Sequence, residues 1–350
     1  MRKFITLLYI ALGLIANFDA GAQTLPPPIH VPLMVSQTAR GTYKATLNVG
    51  IGSLQQIPFG FDTGSTGLHV FADVTFTGAD SGIRCSHIST QVVYGNPPRE
   101  KFLGVMCYAR LHIGAATTPA AVPFAYLTKV VCLANAPPGC PPDIHSFKSM
   151  GGYGVFGAGL TGVISGKHIA PPPLLRLPGR YGLFYSVVLG ADSGDLILGS
   201  RLSPDATMFR LRPTTNVKGQ RWAQGSACLF VNGQPINTCL IIAFDTGNGV
   251  PWLHNVTNPL LPLSCGTCTN CDSCELVTAG TSIGFGHVIG GPEATSVIAG
   301  TEFSNSIADV PVSGGRIMTN TGIQVFFHHI VTYDAKDGAI FFAPAGATSE

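Results

Sequence analysis

The chain has 350 residues, of which only 11% are charged, and its 20 Lys and Arg stand against 18 Asp and Glu. That balance gives no electrostatic footprint for nucleic acid or an anionic membrane surface, so neither is expected as a partner. Gly 43 and Pro 26 with so few charges argue against long helices and favour many short strands joined by turns.

Residues 1–22 read as a signal peptide. Arg2 and Lys3 precede a largely apolar run from Phe4 to Ile15, and Ala20-Gly21-Ala22 offers small residues for cleavage before Gln23. The run is too short for a transmembrane helix, and nothing later resembles one, so stable membrane insertion is not expected after cleavage. The protein is therefore expected to be exported, to a periplasm or to the external medium. Residues 23–29 form an N-terminal tail that includes Leu25-Pro26-Pro27-Pro28. Only 39 residues separate Gln23 from Asp62, and a strand takes up much of that length, so no inhibitory prosegment is expected.

The strand signal is clearest over Tyr43 to Ile51, where apolar residues at alternate positions define one buried face. It leads into Ile57-Pro58-Phe59-Gly60 and then Phe61-Asp62-Thr63-Gly64-Ser65. The same arrangement returns 183 residues later, where Leu240-Ile241-Ile242-Ala243 leads into Phe244-Asp245-Thr246-Gly247-Asn248. Each acid is thus expected where a buried strand enters a turn. Asn232-Gly233 and Asp337-Gly338, each beside apolar runs, signal hairpins. The pattern is mainly β, with one lobe over residues 30–190 and a second over 191–346.

Two halves that each supply one carboxylate suit a particular chemistry. Carboxylates held close together cannot both ionise and so share one proton. The ionised member can take a proton from a water, while the protonated member hydrogen-bonds a substrate carbonyl and makes it electrophilic. Neither metal nor cofactor is needed. Thr63 and Thr246 offer hydroxyls that could lock the turns to the opposite backbone, and Gly64 and Gly247 let main-chain amides approach the carboxylates.

At these residues the chain resembles the pepsin-like aspartic proteases. Asp62-Thr63-Gly64-Ser65-Thr66-Gly67-Leu68 is similar to that family's first active-site loop, and Asp245-Thr246-Gly247 to its second. Tyr94-Gly95 falls where the family carries its flap tyrosine, and Gly154-Val155-Phe156-Gly157 resembles the apolar element that completes the first loop. Phe184 to Leu189, Gly194 to Gly199, and the hairpin from Val331 to Pro344 resemble the strands that link and end the lobes. The resemblance implies a bilobal pepsin-like fold with a cleft between β-rich lobes, and a monomeric exported aspartic endopeptidase acting on peptide or protein substrates in acid. Asp62 and Asp245 would be the catalytic dyad, Thr63, Gly64, Ser65, Thr246, Gly247 and Asn248 its support, and Tyr94 with Gly95 the flap.

Three positions depart from the pattern: Asn248 replaces the usual Ser or Thr, His69 the Trp that supports the flap tyrosine, and Asn320-Thr321-Gly322 the second apolar element. They motivate an alternative, a catalytically weak or inactive pepsin-fold protein that binds proteins or peptides. The intact Asp-Thr-Gly turns favour the enzyme.

Ten cysteines lie in the exported part, where disulfides persist. Cys85 with Cys107 brackets the candidate flap, Cys132 with Cys140 a Pro-Gly loop, and Cys228 with Cys239 the Asn-Gly hairpin; these three pairs are expected. Cys265, Cys268, Cys271 and Cys274 have the spacing of a zinc or iron–sulfur site, but an oxidising compartment favours two local disulfides and no metal. Adjacent His328 and His329 are placed on a strand with side chains on opposite faces, unable to chelate one ion. His69 and His254, each a few residues past an active-site loop, are read as hydrogen-bonded packing residues. Asn255-Val256-Thr257 is a glycosylation triplet.

Overall fold

The computed structural model describes residues 26–38, 41–72, 81–94, 99–134, 136, 140, 143–144, 152–161, 165–167, 170–200, 206–214, 222–254, 261–265, 275–288, 293–300, 308–309 and 318–346. Among them strands predominate, gathered into a 16-stranded sheet, a nine-stranded sheet and a two-stranded ribbon. The signal segment, the glycosylation triplet, Gly95, Cys268, Cys271 and Cys274 lie outside the described residues.

Tyr43–Ile51 alternates as its sequence directs: Tyr43, Ala45, Leu47 and Val49 are buried while Asn48 is exposed. It pairs antiparallel with Ile57–Asp62, Leu47 opposite Phe59, and so carries the chain straight to the first acid. Ile57–Asp62 also runs parallel to Gly154–Ala158, with Gly157 opposite Asp62. Gly154–Ala158 is in turn antiparallel to Thr66–Phe71, which lies parallel to Val122–Cys132. The glycine at 157 is required by crowding, because a Cβ there would stand 2.6 Å from the Thr66 carbonyl carbon.

The second half repeats this pattern of directions. Gln234–Ala243 is parallel to Met318–Asn320, which is antiparallel to Trp252–His254, itself parallel to Ala308–Asp309. The pairing sets Ala243, two residues before Asp245, opposite Asn320, as Gly60, two residues before Asp62, is opposite Val155. Asn320 is therefore the positional counterpart of Val155.

The halves are joined through the larger sheet. Ile29–Gln37 pairs with Tyr43–Ile51 on one side and Ser193–Leu198 on the other, followed by Phe184–Leu189, His329–Asp334 and Ala339–Pro344. Tyr185 and Tyr333 stack across this seam with ring centroids 4.8 Å apart, and the Tyr185 hydroxyl donates to the Ala158 carbonyl beneath the first loop. Phe61 stacks on Phe156 with centroids 6.3 Å apart, both in the main core.

Turns follow their residue types. Asn232 and Gly233 both have positive φ, 49° and 74°, the hairpin geometry that matches strand twist. Asp337-Gly338 links His329–Asp334 to Ala339–Pro344. One expectation needs correction: His328 ends a single helical turn, Val325–His328, and only His329 begins the strand. The change of conformation between them, rather than strand alternation, decides where these two side chains lie. The disulfides Cys85–Cys107, Cys132–Cys140 and Cys228–Cys239 are formed.

Because Phe156 is fully buried against Phe61, Phe156→Ala should cost about 3–5 kcal/mol in denaturant unfolding. Val288→Ala, at a position 51% exposed, should change stability by less than about 0.5 kcal/mol.

Candidate active site

The two Asp-Thr-Gly turns meet face to face. The Thr63 hydroxyl donates to the Phe244 carbonyl at 2.9 Å and accepts from the Thr246 N–H at 3.0 Å. Reciprocally, the Thr246 hydroxyl donates to the Phe61 carbonyl at 2.8 Å and accepts from the Thr63 N–H at 3.1 Å. Both threonines are buried, so each of these four bonds satisfies a group that water cannot reach. The glycines complete the approach. A Cβ on Gly247 would stand 2.5 Å from Cγ of Asp62, and a Cβ on Gly64 would meet the Asp245 carboxylate.

The turns aim backbone donors at their own acids. Gly64 and Ser65 both donate to Oδ1 of Asp62, at 2.8 and 3.1 Å, and Gly247 donates to Oδ1 of Asp245 at 2.7 Å. The buried Ser65 hydroxyl acts to lower the Asp62 pKa without reaching full hydrogen-bond geometry. Asp62 is 9% exposed. Burial, then the neighbouring Asp245 charge and a hydrogen bond with it, push the Asp62 carboxyl well above the usual carboxylate range. A cavity of about 70 Å³, lined by Lys44, Gly60, Asp62, Thr246 and Gly247 among others, adjoins the first acid. It is large enough to hold water, and Asp62 and Lys44 offer it polar partners.

The departures from the family pattern have definite structural outcomes. Asn248 turns its amide to the Val250 carbonyl at 2.7 Å, away from the carboxylate it follows. The donor to the second acid comes instead from Asn320, whose Nδ2 lies 2.5 Å from Oδ2 of Asp245. The sequence marks Asn320 only as a polar residue behind the loop; the strand register brings it to the acid. Lys44 is a second residue that the sequence leaves unremarked, since nothing in its surroundings along the chain places it beside Asp62.

His69 is fully buried in Thr66–Phe71, and its Nδ1 is hydrogen-bonded to the hydroxyl of Tyr94, the last residue of Arg84–Tyr94. The two rings meet edge-on with centroids 5.8 Å apart, and Phe102 packs on Tyr94 from another side at 5.6 Å. Burial, with the Asp62 charge adding to it, pushes the Tyr94 phenol well above its ordinary value. The imidazole is held neutral by the same burial, its pKa lowered to about 3. Of the second histidine past a loop, His254, the backbone closes the strand Trp252–His254.

No family model matches the chain, and no curated protein matches its sequence. Among solved structures, an aspartic proteinase from Irpex lacteus is similar at a TM-score of 0.58 and 15% identity, over 92% of this chain and 98% of that one. That likeness shows the fold: mainly β, bilobal and pepsin-like.

The buried histidine generates a pH prediction. A folded-state pKa of about 3 against about 6.5 unfolded means that the unfolded chain binds the extra proton first as pH falls. The histidine thus withdraws stability progressively from about pH 6.5 down to about 3. His69→Phe should lose less stability than the parent across that window, measured by melting temperature at each pH, whatever its starting value.

Proposed function

We propose that the chain is an exported aspartic endopeptidase that hydrolyses peptide bonds in acid. The observation that carries this reading is the pair of carboxyls brought together by reciprocal threonine bonds, with Asp62 biased towards its protonated form at the pH where Asp residues ordinarily ionise. The structural likeness to an aspartic proteinase supports it at the level of fold.

The chemistry follows from sharing one proton. The ionised carboxyl accepts a proton from a water held between the acids as the water attacks the scissile carbonyl carbon. The protonated carboxyl hydrogen-bonds the carbonyl oxygen and stabilises the charge that develops there. That proton later reaches the leaving amine, and the pair returns to its starting state. Gly64 and Gly247 keep side chains out of the space this requires, and Tyr94 is the flap residue, steadied by His69 and Phe102. Full deprotonation removes the acid of the pair, so the rate falls as pH rises. Three disulfides and the fold support an extracellular or periplasmic site of action. Among the described residues no helix is long and apolar enough to cross a membrane. We place the lobes of this enzyme at residues 30–190 and 191–346.

The displaced Asn248 amide favours the second reading, a fold that binds peptides without cutting them. Cleavage of an unstructured protein by residues 23–350 across pH 3 to 7 separates the two. The enzyme reading expects cuts in acid that disappear with pepstatin and that fall at least about a thousandfold in Asp62→Asn or Asp245→Asn, because the two acids act as one unit. Absence of cutting by a folded sample would select the binding protein.

A further inference from the structure

The two acids are not supported alike. Both backbone donors to Asp62 fall on one oxygen, Oδ1, whereas Asp245 receives a donor on each oxygen, Gly247 N–H on Oδ1 and the Asn320 amide on Oδ2. The orientation of that amide is fixed from behind. Gly322 N–H donates to Oδ1 of Asn320 at 2.9 Å, which leaves only the NH2 end to face the acid. Asn320 is itself buried, 7% exposed, and its strand is anchored by the Thr321 N–H donating to the Ala243 carbonyl at 3.0 Å. A side-chain NH2 donates and cannot accept, so Oδ2 of Asp245 has to be an acceptor, which is the role of an ionised carboxylate.

We propose that Asn320 is a positioning residue that holds Asp245 as the ionised, water-activating member of the pair and so leaves the shared proton on Asp62. The inference rests on the dyad reading given above and assigns its two roles. Other groups around the pair fit this division. Asp62 is the more buried acid, and burial pushes its carboxyl up. The Tyr333 hydroxyl, which senses both acids, gives its hydrogen bond to the Phe244 carbonyl at 3.3 Å. The Tyr94 hydroxyl is bonded to His69 and so is not committed to either acid. The neutral hydroxyl of Ser65 is not aligned for a hydrogen bond, so it does not give Asp62 the donor that Asn320 gives Asp245.

The test replaces Asn320 by the residue the first half uses at the same register. Asn320→Val keeps the strand and deletes the donor; Asn320→Asp keeps the shape and replaces the NH2 by an oxygen. Each is followed by its cooperative melt, its pH–rate profile on an unstructured protein, and the carbon-13 resonances of labelled Asp carboxyls in mild acid. In the parent, Asp62 alone should show the protonated signature. In Asn320→Val the proton should spread over both acids, the acid limb should move up by about one pH unit, as loss of one bond to a charged group requires, and kcat should fall more than KM changes. Asn320→Asp should cut only in the acid range where the added carboxyl keeps its proton and can donate. A folded Asn320→Val with the parent's profile and resonances would overturn the proposal. If the parent itself cuts nothing, the protease reading fails, while the carboxyl resonances still decide where the proton resides.

Discussion

Everything at the centre of this molecule depends on two threonine hydroxyls that each bond the opposite turn. A single Asp-Thr-Gly turn at the end of a buried strand would leave its carboxyl free to ionise as an ordinary surface acid. Crossing the two turns converts them into a unit. Thr63 bonds Phe244 and Thr246, and Thr246 bonds Phe61 and Thr63, so neither loop can move away without exposing buried polar backbone groups of the other. The glycines at 64 and 247 then let each loop press on the other's carboxyl. Strain between like charges is thereby built in, and its resolution, one proton for two acids, is what the proposed chemistry draws on.

The surrounding architecture serves that closeness. Each loop is supported from below by a parallel strand that ends beneath its acid, and the two halves use the same sequence of strand directions to provide it. The first half fills the supporting strand with Val155 and Phe156, an apolar floor. The second half fills it with Asn320 and Thr321, and the floor becomes part of the hydrogen-bonding shell. A pseudo-symmetric frame thus carries an asymmetric pair of acids. Asn248, which the loop sequence marks as the departure closest to Asp245, is a lesser matter, since its amide closes a local turn onto Val250.

Much of this was legible in the sequence because it is local. The alternation of Tyr43–Ile51, the apolar run into each acid, and Asn232-Gly233 fix strands and turns through side-chain period and backbone preference. The bracketing cysteines formed the three bonded pairs. What stayed hidden is set by register and by long-range packing. Asn320 reaches Asp245 only because Met318–Asn320 pairs with Gln234–Ala243 across 75 residues of chain. Lys44 comes to line the Asp62 cavity through sheet packing. The assignment of His328 to a strand failed because a 3-10 turn, Gly322–Gln324, and the helical turn Val325–His328 that follows it occupy the chain up to His329.

The central claim is that the two carboxyls feel one another directly, and a thermodynamic cycle measures this without any substrate. Unfolding free energies of the parent, Asp62→Asn, Asp245→Asn and the double variant would be compared at pH 7 and at pH 3. At pH 7 either single change should relieve the repulsion and the second should add little, a coupling above about 1 kcal/mol that shrinks at pH 3 where the pair no longer carries two charges. Additivity within about 0.5 kcal/mol at both pH values would mean that the acids do not interact, and the account of a shared proton would fail.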